Sequence, residues 1–205
     1  MIIMIYNIKP ISPFTRNIKR YKNKDFGSSD PYMNLIGIDD YIEFGKKGSQ
    51  DSFALVRNGE ISTITAVRIT TVGDVLKTIG AKTNIRSDFT KLNLQSNCLF
   101  IDFINRNSKC KSNTKGDGRI MFDWLKSESK KMDIDIICLE ADGEDAEMLA
   151  NHYYERKLHF NRYSDKYQVE DWPGELIFMV YFLNRISPLL VDFQVFPMDF
   201  LSNPS

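Results

Sequence analysis

Between Asn113 and Leu125 the chain reads NTKGDGRIMFDWL, short and polar in its first half, bulky and apolar in its second. Gly116 and Gly118, one residue apart, allow positive φ and let backbone N–H groups approach a ligand with no Cβ in the way. Met121, Phe122 and Leu125 follow at the i, i+1, i+4 spacing of a buried helical face. A helix is therefore predicted from about Gly118, its first N–H groups pointing into the loop. Successive amides ahead of a helix N-terminus attract anions. From Arg106 to Arg119 five cations (Arg106, Lys109, Lys111, Lys115, Arg119) stand against one carboxylate, Asp117, which adds a local positive field. A dinucleotide fingerprint would need a third glycine at position 121, where Met121 stands, and no GxxxxGK[ST] loop is present. A solvated turn has the same composition, so the elements around the loop decide its meaning.

Cys98 to Ile104, CLFIDFI, is apolar on both faces apart from Asp102, as in a central strand covered by helices on both sides. It leads into the glycine loop, and after the loop helix Ile134 to Leu139 reads as another buried strand. Strand, loop, helix and strand make a βαβ unit. Ala146 to Lys157 follows as a helix with Leu149, Ala150, Tyr153 and Tyr154 inward. RYSDKYQ and GELIFMVYFL read as two late strands with Trp172-Pro173-Gly174 in the turn between them.

Upstream, MIIMIYNI reads as a first strand. Ser12-Pro13 supplies an N-cap and first-turn proline for a helix to about Lys24. Asp30-Pro31 opens a second helical region, in which Asp40 and Glu43 resemble a capping box. SFALVRNGEISTITAVRIT is two alternating β-rich runs joined by Asn58-Gly59, a strong hairpin signal. After Pro188, VDFQVF would suit an edge strand.

The 205 residues suffice for one substantial core, so a single domain is expected over 1–205. Lys+Arg and Asp+Glu both total 27, and this balance points to neither a nucleic-acid nor a membrane partner. Cys98, Cys110 and Cys138 are odd in number and widely spaced, fitting neither a disulfide framework nor a zinc motif. A cytoplasmic, reducing compartment and no bound metal are expected. The N-terminal run lacks the basic region and cleavage site of a signal peptide. Leu176 to Leu183 is far short of the roughly 20 residues that span a bilayer.

The order and spacing of these stretches resemble the GCN5-related N-acetyltransferase (GNAT) family, whose pyrophosphate loop is Arg/Gln-x-x-Gly-x-Gly/Ala at the start of a central helix. The matching residues are Asn113-Thr114-Lys115-Gly116-Asp117-Gly118. NIKPISPF resembles the family's first strand and helix start, SFALVRNGEISTITAV its second and third strands, and ANHYYERKLHF the helix ending in Tyr-Glu-Lys-x-Gly-Phe. The likeness covers about residues 5–183, leaving 184–205 as a C-terminal extension. Three departures stand out. Asn113 replaces the leading Arg/Gln, His159-Phe160 replaces Gly-Phe with one extra residue after the tyrosine, and residues 70–97 form a longer connection than usual. That connection reads as an insertion with a short helix, Asp74 to Ile79, beside the substrate groove.

The resemblance implies an α/β (α+β) fold: a mixed, mostly antiparallel sheet of about six to seven strands, helices on both faces and a central βαβ acyl-CoA unit. It further implies direct transfer of acetyl from acetyl-CoA, as cosubstrate, to an amine on a small molecule, protein or peptide. CoA's pyrophosphate would sit on the amides of Thr114 to Arg119 with Asn113 leading the loop, and pantetheine would lie along Ile104, Asn105 and Arg106. Tyr154 matches the general-acid tyrosine, with Tyr153 its rival by one register; both also suit simple packing. Asp102, alone among apolar neighbours, suits a base or a hydrogen-bonded structural carboxylate. His152 and His159 suit solvent-facing or capping positions. The acidic residues Asp39, Asp40 and Glu43 suit a cationic acceptor or an exposed helix cap. A homodimer is compatible with the chain. The competing readings are a catalytically degenerate member of the fold that binds acyl-CoA or a partner protein, and an unrelated phosphate-binding α/β protein.

Overall fold

The computed structural model describes residues 3–9, 51–58, 60–106, 110, 115–143, 146–170 and 172–183. The helices expected between Ser12 and Glu43 and the edge strand expected near 191–196 lie outside these residues. The Asn58-Gly59 signal produces its hairpin. Strands β2 (Asp51–Arg57) and β3 (Glu60–Thr71) pair antiparallel with Arg57 facing Glu60. Asn58 takes φ 53°, the positive value that a two-residue hairpin turn requires. β1 (Ile3–Lys9) adds antiparallel to β2. On the other side β3 meets β4 (Asn97–Arg106) antiparallel, and β4 runs parallel to β5 (Ile136–Gly143).

A parallel pair needs a crossover, and α3 (Asp117–Lys131) supplies it, giving the expected βαβ unit. Its predecessors α1 (Val72–Gly80) and α2 (Ser87–Thr90) both lie in the 70–97 connection. Thr71 caps α1, its hydroxyl accepting from the Asp74 amide at 3.1 Å. The last helix, α4, covers residues 146–158: α-helical over Ala146–Met148, π-helical over Leu149–Glu155 and α-helical again over Arg156–Leu158.

The late strands depart from the sequence reading. RYSDKYQ is broken into β6 (Asn161–Arg162) and β7 (Tyr167–Val169), and both pair with β8 (Trp172–Phe182). Trp172, Pro173 and Gly174 belong to β8 and not to a turn, because Val169 already faces Trp172 and leaves only two residues to reverse the chain. Pro173 is tolerated so near a strand start. The described sheet has eight strands, two of them the short β6 and β7, in the order β1-β2-β3-β4-β5-β8-β6 with β7 also on β8, the mixed and mostly antiparallel sheet that the resemblance implies.

Period-two alternation divides the core between two faces. Leu99 and Ile101 of β4, Ile137 and Leu139 of β5, and Ile177 and Met179 of β8 point to one side. There they meet Met121, Phe122 and Leu125 of α3 and Ala150, Tyr154 and Leu158 of α4. Cys98, Phe100, Cys138, Phe178 and Val180 point to the other side, where Val72, Val75 and Ile79 of α1 and Phe89 cover them. The connection over 70–97 therefore completes the second face of the sheet. Among the described residues no helix is long and apolar enough to cross a membrane, and Cys98, Cys110 and Cys138 form no disulfide.

Candidate functional site

β4 and β5 separate part-way along their length. Their ladder runs from Cys98↔Ile136 to Ile101↔Leu139 and stops, although β4 continues to Arg106 and β5 to Gly143. The cause of the parting is visible in β4. Ala66 of β3 faces Phe103 while Val67 faces Ile101, so Asp102 is the additional residue of a β-bulge. Thr65 steadies the bulge by donating its hydroxyl to the Phe103 carbonyl at 2.8 Å. The parallel pair therefore loses its ladder toward the carboxyl ends of its strands, the usual place for a ligand in an α/β sheet. Beyond the last pair β4 continues through Ile104, Asn105 and Arg106, and β5 through Glu140, Ala141 and Asp142.

α3 begins just beyond β4. Its N-cap is Gly116 at φ 90°, a left-handed conformation that suits glycine, and among the described residues no side chain caps the helix. Asp117, its first residue, is fully buried, and Arg57 at the end of β2 grips both carboxylate oxygens, with Nε to Oδ2 at 3.2 Å and a second, shorter bond from the terminal nitrogen to Oδ1. Asp117 can therefore offer a ligand its amide, while its carboxylate is held by the hairpin. Arg57's own pKa rises, chiefly through the hydrogen bond to Asp117. Lys115, Arg119 and Arg106 are exposed, Arg119 lying 3.7 Å from Asp123 one turn along the helix. Asn113, Thr114, Lys109 and Lys111 lie outside the described residues.

The two tyrosines of α4 go different ways. Tyr153 is half-buried and its hydroxyl lies against Gly118, so close that a Cβ at position 118 would collide with it. Tyr154 is buried in the core, with its ring edge-on to Phe160 at 5.7 Å between centroids. Burial first, then Tyr153 and Asp142, push the Tyr154 phenol well above the ordinary tyrosine range; burial and then Asp123 raise that of Tyr153. Both tyrosines lie in the π-helical segment Leu149–Glu155, and ordinary α-helix resumes over Arg156–Leu158. His159 then takes φ 63°, the left-handed position ending the helix, which explains how a histidine stands where the resemblance expects glycine. His152 and His159 are both exposed.

Asp102 lies on the second face, its carboxylate 3.4 Å from the Arg68 guanidinium, which also stacks over Phe100. Arg68 and Phe100 border a cavity of about 460 Å³ against α1, lined further by Asp74, Lys77 and Thr78. On β5, Glu140 pairs with Lys82 at 3.2 Å and accepts a short hydrogen bond from Tyr167. Partial burial and Glu140 raise the pKa of Asp142. The bulge, the Arg57 grip and the π-turn were all missed in the sequence.

Compared as a sequence, the chain matches no protein-family model and no curated protein. Compared as a structure, it superposes on a protein from Desulfovibrio desulfuricans described as an acetyltransferase of the GNAT family, with TM-score 0.50 and 8% identity, over 89% of this chain and 100% of that one. The chain has the GNAT fold. A bacterial toxin structure is also similar, at TM-score 0.50, 12% identity and coverage of 87% and 90%. Arabidopsis thaliana NAA60 in complex with a bisubstrate analogue superposes at TM-score 0.49 and 13% identity, over 88% and 98%. In this GNAT fold β4 and β5 part beside the bulge at Asp102, and α3 is the crossover between them. Of the sequence-predicted residues, Ile104, Asn105 and Arg106 follow the bulge on β4, and Gly116 to Arg119 form the cap and first turn of α3. Asp102 is at the bulge and Tyr154 is in the packed layer beneath.

Proposed function

We propose that the chain is an acetyl-CoA-dependent N-acetyltransferase acting on an amine acceptor. The observation that supports this most is the parting of two parallel strands at a bulge, joined by a helix whose N-cap is a left-handed glycine. In this reading pantetheine lies along Ile104, Asn105 and Arg106, exchanging hydrogen bonds with strand backbone. The pyrophosphate rests on amides of the segment from Asn113 to Arg119, with the exposed Lys115 and Arg119 adding charge. The acceptor amine attacks the thioester carbonyl, a backbone N–H of the parted β4 steadies the oxyanion, and the carbon–sulfur bond then breaks. One proton leaves the amine and one arrives at the CoA thiolate. Asp102 is the proposed base. The acid is one of the tyrosine pair, and the contact with Gly118 favours Tyr153 over the buried Tyr154.

The burial of Tyr154 also supports a second reading, a catalytically degenerate protein that binds acyl-CoA or a partner protein. A transfer screen separates the two. Acetyl-CoA is supplied with polyamines, amino acids, aminoglycosides and peptides, and release of free CoA thiol is followed together with the mass of each amine. The enzyme reading predicts a gain of one acetyl group on at least one acceptor, matched by thiol release. Saturable acetyl-CoA binding with no transfer to any of them would favour the degenerate reading.

A further inference from the structure

We infer that Arg57 is a positioning residue for the anion end of the candidate site: by gripping Asp117 it neutralises and turns inward the one carboxylate of the first turn of α3, so that the helix N-terminus stays open to a phosphate group. This rests on the acyl-CoA reading above and adds a residue that no glycine-loop pattern contains. Asp117 is the only acidic residue in that turn, its side chain is fully buried, and Arg57 reaches it from 60 positions away with two hydrogen bonds. An ungripped carboxylate at the first helical position would turn to the free amides and repel an incoming anion. The grip belongs to a larger device. Arg57 faces Glu60 across the hairpin end, and Glu60 accepts a hydrogen bond from the Cys110 thiol at 3.2 Å. The hairpin thus holds the connection from β4 to α3 at two described points, Cys110 and Asp117.

The test measures binding of coenzyme A and, separately, of inorganic pyrophosphate by calorimetry, with thermal melting of each protein as a control on folding. The proteins are wild type, Arg57→Gln, Arg57→Lys, Asp117→Asn and the double variant Arg57→Gln/Asp117→Asn. Arg57→Gln is expected to weaken both probes by about 10-fold or more, as one exposed repulsive charge at contact distance would. That loss should shrink as salt is added. The double variant should recover to within about 3-fold of wild type, having no charge left to repel the probe. Folded Arg57→Gln with wild-type affinity, or a double variant as weak as Arg57→Gln, would overturn the inference and leave Arg57 a purely structural residue. Should Arg57→Gln not fold, Arg57→Lys carries the test: weakened binding that salt diminishes supports the inference, and unchanged binding overturns it. Wild type binding pyrophosphate but not coenzyme A would refute the acyl-CoA reading while the Arg57 comparison is still read with pyrophosphate. Wild type binding neither probe would overturn both.

Discussion

Tyr153 and Tyr154 are adjacent in sequence and meet different surroundings, one a glycine at a helix start, the other a packed aromatic layer. An acid that protonates a departing thiolate must reach it, so Tyr153→Phe is expected to lower turnover by about 10²- to 10⁴-fold with little change in the Michaelis constant for acetyl-CoA. Tyr154→Phe, which keeps the buried ring, should leave turnover within a few-fold of wild type; steady-state kinetics of both variants on one acceptor checks this. Asp142 carries a pH prediction. Its folded pKa is raised by partial burial and by Glu140, so its contribution to stability is full below the unfolded aspartate value and is lost as pH rises through the folded value. Asp142→Asn should therefore melt higher than wild type at neutral pH, with the advantage vanishing below about pH 4. Parallel melting curves across that range read it directly. At this scale the sequence exposes residue types and little else. Asp117 looks like a loop carboxylate until Arg57, 60 positions away, is seen to hold it, and nothing local announces so distant a pairing.

The elements were far more legible, because each rests on short-range chemistry. Asn58-Gly59 can hardly do other than turn, CLFIDFI buries both faces, and Met121, Phe122 and Leu125 set one face of α3. What escaped was irregularity. The bulge at Asp102 depends on how β3 and β4 align, and alignment between strands is a tertiary property. The division of RYSDKYQ has a similar origin, since β8 is long enough to pair with two short strands at different points. The end of α4 offers a test at this scale. His159 holds a left-handed conformation at an exposed position, so His159→Gly should stabilise the fold by about 1 kcal/mol, as measured by urea denaturation. A loss of stability would mean that the histidine side chain contributes more than its backbone strain costs.

For the whole molecule, the sheet joins the two layers so that one candidate site is served by elements from both ends of the described chain. The hairpin steadies the start of α3, the β4 bulge parts the central strands, and α4 brings a tyrosine back over Gly118. The GNAT architecture was legible from the order of motifs, none of which is distinctive alone; the chain-wide order matches although Asn113 and His159 depart from the family's pattern. Ligand and acceptor are matters of chemistry beyond the fold. The central claim is that this site holds acetyl-CoA, and calorimetric titration of acetyl-CoA into wild type and Gly118→Val tests it most directly. Valine at 118 would displace the Tyr153 hydroxyl and fill the approach to the α3 amides. The account predicts saturable one-to-one binding to wild type, with a dissociation constant between about 1 μM and 1 mM, and no measurable binding to the folded variant. A correctly folded wild-type chain that gives no binding heat at millimolar acetyl-CoA, or a Gly118→Val variant that binds as tightly as wild type, would contradict it.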